Sequence, residues 1–188
     1  MNIIFDFTYL WIMLSLLYFI YDLIKNRKKT RFVRKLIFIS FLLYLCIVYH
    51  VVLGQVYLIP EKEFSQISIQ LIPFAYLFEW VQLYNMSGLT WELINSVKLT
   101  FYNLLLLFPF GLYISLLWRN VGLKKLTILS FSTSLLIETL QLILSASGMI
   151  MVRTFNIDDL ILNTLGSMFG FYIGKNVTYR IRKKYTTL

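Results

Sequence analysis

Long apolar runs separated by basic clusters dominate the pattern of hydrophobic and polar positions along the chain. A helix needs about 20 largely apolar residues to cross the hydrocarbon core of a bilayer. Five runs approach that length with few or no charges: residues 3–24, 36–59, 99–118, 126–145 and 155–174. The pattern therefore predicts an all-α integral membrane protein with five transmembrane helices.

The segment between the second and third predicted spans, residues 60–98, does not fit the same pattern. Its apolar stretch, residues 67–78, is short and is interrupted by Pro73. A short apolar stretch with a central proline predicts a re-entrant or interfacial element rather than a full span. Within the third span, Pro109 and Gly111 predict a kink near the middle of the helix.

Composition and charge place the chain in a membrane and set its orientation. Only 14% of residues are charged, against about 25% in a soluble domain. Fifteen of the eighteen Lys and Arg residues follow the first, third or fifth span. By the positive-inside rule these segments are cytoplasmic, so we expect the N-terminus outside and the C-terminus inside. The net charge of +9 is then explained by membrane lipids, and we expect no nucleic-acid partner.

Glu138 is the polar residue that most needs an explanation, because it lies about 18 Å along the fourth span at 1.5 Å per residue. An isolated carboxylate in lipid costs several kcal/mol. Ser134, Glu138, Gln141 and Ser145 follow helical spacing, which puts them on one face. We expect this polar face to point into the helix bundle.

The fifth span repeats the pattern. Asp159 and Asn163 are four residues apart, and Asp158 is either a first-turn acid favoured by the helix dipole or a member of the same site. Gly166-x-x-x-Gly170 is a small-residue series that predicts close packing against another helix.

The candidate site residues come from three spans and one loop, yet all of them fall in the outer half of the membrane. Carboxylates suited to acid–base chemistry are Glu138 and Asp159. Side chains suited to binding a substrate are Asn103, Gln141, Arg153, Asp158 and Asn163. Arg153 is expected to pair with one of the carboxylates or to hold an anionic headgroup. A polar cavity open to the outer leaflet is one interpretation, and purely structural hydrogen bonding between helices is the other.

Three blocks with the sequences NLLLLFPFG (103–111), SLLIETLQ (134–141) and RTFNIDDLILNTLG (153–166) resemble the motifs of the VanZ-like family in order and spacing. Ile72-Pro73-Phe74 resembles its shorter upstream motif, and the resemblance covers residues 36–174. It divides the chain into an N-terminal transmembrane helix with a basic loop (1–30), a VanZ-like membrane domain (31–176) and a basic cytoplasmic tail (177–188).

The resemblance implies a multi-pass protein of the bacterial plasma membrane. The family is named for a member linked to resistance against teicoplanin, a lipid-bearing glycopeptide antibiotic. Asn156 stands where an Asp is expected in many members, which weakens an enzymatic interpretation. The chain has no His/Cys cluster, HExxH, GxSxG or P-loop motif, so we expect neither a metal nor a cofactor.

Three classes of function follow. The first is a protein that lowers sensitivity to lipophilic glycopeptides by binding the drug or a lipid-linked cell-wall precursor. The second is an intramembrane enzyme acting on a lipid-linked phosphate or sugar. The third is a small transporter, or an assembly partner that docks through the glycine face of the fifth span. The sequence leaves the oligomeric state open.

Overall fold

A computed structural model of the chain describes residues 4–5, 8–25, 32–118 and 120–186. Five of the basic residues that are predicted to be cytoplasmic lie outside the described residues. They are Arg27, Lys28, Lys29, Arg31 and Arg119. The described chain is mostly helical, and its α-helices are α1 Thr8–Lys25, α2 Phe32–Leu53, α3 Ala75–Ser87, α4 Trp91–Leu106, α5 Phe108–Leu117, α6 Leu123–Ala146 and α7 Ile157–Thr186.

Three helical segments in the described part of the chain are long and apolar enough to cross a membrane. They are α2, the combined segment Trp91–Leu117 formed by α4 and α5, and α6. These coincide with the second, third and fourth predicted spans. The first and fifth predicted spans also form helices, α1 and α7, but the five-span arrangement stays a prediction. α7 continues through most of the predicted basic tail to Thr186.

The predicted kink in the third span is confirmed, because the helix is interrupted at Leu107 and resumes as α5. Pro109 lies in the first turn of α5, where a missing backbone N–H costs no helical hydrogen bond. The hydroxyl of Tyr44 donates to the carbonyl of Leu106 at 2.6 Å. This bond ties α2 to the interruption.

Four short strands depart from the all-α prediction. β1 (Ile4–Phe5) pairs antiparallel with β2 (Val56–Tyr57), and β3 (Ser68–Gln70) pairs parallel with β4 (Thr154–Asn156). Both sheets lie in segments that connect or precede helices, where backbone N–H and C=O groups still need partners. The sequence did not predict these strands, because a short-range pattern does not reveal the pairing of residues that are 86 positions apart, as in β3 and β4.

Residues 60–98 contain β3, α3 and the first turns of α4, which begins at Trp91 rather than at residue 99. α3 starts two residues after Pro73. Its apolar side chains are largely exposed, with Phe78 at 74% and Val81 at 61%. An exposed apolar helix of 13 residues is too short to span a bilayer. An interfacial position for it stays a prediction.

The exposed and buried sides of α6 are reversed relative to a helix in a soluble protein. Ser130 and Ser134 are fully buried and Glu138 is 3% exposed, whereas Ile128 and Leu136 are about 60% exposed. This distribution is typical of a helix that faces lipid on one side and protein on the other.

α7 packs against α4 and α5 through the predicted small residues. A Cβ atom at Gly166 would overlap the carbonyl oxygen of Leu104, and one at Gly170 would overlap that of Phe108. The glycines therefore allow the helix backbones to touch. Because the chain's own helices cover this glycine face, it is not available as a docking surface for an assembly partner.

We expect Gly166→Ser and Gly170→Ser each to lower the free energy of unfolding by about 1–3 kcal/mol, because the added atoms overpack the interface. Gly122→Ser is the matched control, since a Cβ atom there meets nothing within 4 Å and serine is a favoured residue at the start of a helix. Unfolding of the purified variants in mild detergent measures the difference. Equal stability of all three would contradict the packing role.

Candidate functional site

The buried face of α6 is joined to α7 by hydrogen bonds between side chains. The amide nitrogen Nδ2 of Asn163 donates to the hydroxyl of Ser134 at 2.9 Å. The hydroxyls of Ser130 and Ser167 are 2.7 Å apart, one layer away. Interhelical bonds of this kind contribute roughly 0.6–2 kcal/mol in a membrane. The predicted polar face of α6 is thus confirmed as a helix–helix contact.

Glu138 receives a backbone hydrogen bond from the start of α7. The N–H of Asn156 donates to Oε2 of Glu138 at 3.2 Å. The side-chain oxygen Oδ1 of Asn156 in turn accepts the N–H of Asp158 at 2.9 Å, as a helix N-cap does. Asparagine and aspartate fill this capping role equally well. Asn156 therefore has a structural role that does not require the acid expected at its position.

Asp159 connects α7 to α4. The amide nitrogen of Asn103 donates to Oδ1 of Asp159 at 2.6 Å. Asp159 and Glu138 also interact electrostatically with each other. The predicted site residues of three helices are therefore in one electrostatic network.

Asp158 holds the beginning of α3. Its two carboxylate oxygens accept the backbone N–H groups of Phe74 and, at 3.4 Å, Tyr76. These N–H groups have no partner within their own helix. Asp158 is 2% exposed. Its carboxylate is thus engaged by backbone donors rather than left open to a substrate.

Gln141 has a similar structural contact. Its Nε2 donates to the carbonyl of Val52 at 2.8 Å, in the last turn of α2. The carbonyls of a last turn lack partners within the helix, so a side-chain donor satisfies one of them. Gln141 thereby joins α6 to α2.

Arg153 is held through its backbone rather than its side chain. Its N–H donates to the hydroxyl of Ser145 at 3.0 Å. The side chain is exposed. It attracts Glu138 and Asp159 electrostatically, but within the described chain it forms no ion pair with them. Of the two alternatives given for Arg153, the direct ion pair is therefore not formed among the described residues, and the contact with an anionic headgroup stays a prediction.

All seven predicted site residues line one cavity of about 800 Å³. Its walls come from α4, α6, α7, the segment before α7, and α3. The geometry brings the predicted residues together around a single space.

Sequence reasoning missed several polar residues of this cavity, among them Glu79 on α3, and Glu92 and Ser96 on α4. The hydroxyl of Ser96 donates to Oε1 of Glu79 at 3.2 Å, which links the two helices. Glu92, Ser96 and Asn103 are spaced at i, i+4 and i+11, so they share one helical face. That spacing was the available signal, but it required α4 to begin before residue 99.

The lining of the cavity is rich in carboxylates. Oδ1 of Asn163 is buried without a hydrogen-bond partner, and this residue is 1% exposed. Glu138 and Asp159 add carboxylate oxygens to the same wall. Among the described lining residues, acidic side chains therefore outnumber basic ones.

Comparison with known proteins gives one match. A family model described as VanZ/LLP1 matches residues 36–178. No curated protein and no solved structure matches the chain.

We expect Asp158→Ala to speed amide hydrogen exchange in the first turn of α3, because two backbone N–H groups lose their acceptor. A buried donor without a partner costs about 1–3 kcal/mol. Asp159→Ala is the matched control, since Asp159 bonds to α4 and makes no bond to α3. Exchange in α3 that is unchanged by Asp158→Ala would contradict this role.

Proposed function

The chain belongs to the VanZ/LLP1 family, and on that premise we propose that it is a multi-pass protein of the bacterial plasma membrane that lowers sensitivity to lipophilic glycopeptides such as teicoplanin. It does so by binding the drug, or a lipid-linked envelope component, in a polar cavity that opens toward the outer leaflet. The three apolar segments and the family membership indicate a membrane protein.

The observation that carries the proposal is the cavity itself. Seven polar residues from α4, α6, α7 and the preceding segment line about 800 Å³ beside apolar helices. Polar side chains inside a membrane cost free energy, and they tend to mark binding sites or transport pathways. A lipid-anchored drug and a lipid-linked precursor both present polar groups next to an apolar chain.

Contacts at the two ends of the helices support the five-span orientation. At one end, the guanidinium of Arg34 donates to the carbonyl of Leu117 at 3.1 Å, which joins two segments predicted to be cytoplasmic. At the other end, β1 pairs with β2 and β3 with β4, which joins the predicted outer ends of the first, second and fifth spans and the loop between the second and third spans. The cavity lies at the end that carries β4.

An intramembrane enzyme is the second candidate. It is favoured by the placement of Glu138, Asp159 and Arg153 around one cavity with mutual electrostatic interaction. In this version one carboxylate is the general acid or base and Arg153 holds a phosphate. Lipid extracts that are identical in deletion and overexpression strains would exclude it.

We expect Glu138→Ala and Asp159→Ala to remove the protection that the wild-type gene gives a deletion strain against lipidated glycopeptides. Each change removes a carboxylate from the cavity wall. The measurement is the minimal inhibitory concentration for lipidated and non-lipidated glycopeptides, with membrane levels of each variant checked by immunoblot.

Glu63→Ala is the matched control for this experiment. Glu63 is an exposed acid in a short 3₁₀ turn outside the cavity lining, so its loss should leave protection unchanged. Full protection by both cavity variants at normal levels would remove the proposed function.

The orientation predicts how single cysteines react with a membrane-impermeant maleimide in intact cells. In a Cys46→Ser background, Glu63→Cys should be labelled directly, whereas Lys124→Cys should be labelled only after the cells are opened. Both positions are exposed and lie in segments predicted to be on opposite sides. Labelling of Lys124→Cys in intact cells would reverse the orientation and place the cavity on the cytoplasmic side.

A further inference from the structure

The cavity concentrates negative charge in a chain whose net charge is +9. Five of the nine acidic residues line it. Among its described lining residues, Arg153 is the only basic one. The wall of the cavity is therefore opposite in sign to the rest of the protein, and it should repel a phosphate and attract a cation.

Two of these carboxylates are held only by neutral donors. Glu138 accepts the backbone N–H of Asn156, and Asp159 accepts the amide of Asn103. Within the described residues neither has a cation at ion-pair distance. A buried carboxylate without a cationic partner is costly. A positively charged group in the cavity would supply the missing partner.

The buried acceptor of Asn163 is an independent observation that points to the same kind of ligand. Its Nδ2 is engaged by Ser134, while its Oδ1 is buried without a donor, in a residue that lines the cavity. Buried oxygens normally accept a hydrogen bond from protein, water or ligand. A phosphate or carboxylate ligand carries no donor for this oxygen, whereas an ammonium carries three.

The size and spacing of the site favour an organic cation over a metal ion. No group of three His, Cys, Asp or Glu side chains in the described chain lies close enough to hold a metal. The acids are instead spread around about 800 Å³. This space suits an amine carried on a larger molecule.

We infer that the cavity recognises the ammonium group of an amphiphile at the membrane surface, through Glu138, Asp159 and Asn163. This inference rests on the proposed function and names the chemical group that the binding site would recognise. The amine comes either from an aminated lipid headgroup or from the glycopeptide itself.

The test uses the full-length protein in nanodiscs of neutral phosphatidylcholine. Three single-chain probes of equal length are added together: dodecylammonium, the neutral N-dodecylacetamide, and dodecyl phosphate. Native mass spectrometry then measures which probe stays bound. A second arm compares a lipidated glycopeptide with the same compound after its amines are acetylated.

We expect dodecylammonium to be retained about tenfold better than either other probe, as a charge-assisted hydrogen bond predicts. Glu138→Gln and Asp159→Asn should each reduce this retention about fivefold or more, and the exposed control Glu63→Gln should not. Acetylation that also abolishes retention of the glycopeptide identifies the drug as a source of the amine. A glycopeptide that binds equally well after acetylation leaves the lipid headgroup as the source.

Two outcomes overturn different parts of this inference. Retention of dodecyl phosphate at least as good as that of dodecylammonium, and lost in Arg153→Gln, would replace the ammonium by an anion and leave the binding cavity in place. If no probe and neither glycopeptide is retained better by the wild type than by Glu138→Gln, both the ammonium site and the proposed function fail.

Discussion

Polar side chains that face hydrocarbon have no water to bind, and this constraint orders the helices of the chain. α6 carries a buried row formed by Ser130, Ser134 and Glu138. Asn163 and Ser167 on α7 meet that row with hydrogen bonds. The pairing fixes the rotation of both helices, because turning either one would expose polar atoms to lipid.

Close packing of α7 on α4 and α5 determines what the first turn of α7 can reach. With Gly166 and Gly170 against backbone carbonyls, the helix axis lies near α4, and Asp159 meets Asn103. The neighbouring positions point elsewhere: Asn156 caps α7 and contacts Glu138, while Asp158 reaches α3. A single helix start thus organises three other helices around one cavity.

Helical spacing and membrane physics were enough to predict the features that are local in sequence. The polar face of α6 and the interruption beside Pro109 each depend on residues within a few turns of one another. The roles of Asp158 and Gln141 were not predictable in this way. Their partners are backbone groups more than 80 residues away, in α3 and at the end of α2, and helical period carries no information on such contacts. The same limit hid the pairing of β3 with β4.

The predicted site residues differ in how many hydrogen bonds their polar atoms already make within the protein. Both carboxylate oxygens of Asp158 and the Nε2 of Gln141 bond to backbone groups. Asn163 keeps a buried acceptor without a donor, and Glu138 and Asp159 are each held by one neutral donor. Unpaired buried acceptors are costly in a protein at rest, and the proposed ammonium ligand would supply donors to this group of side chains. These side chains can still accept hydrogen bonds and contact a positive charge. This is the chemistry of the proposed ammonium group.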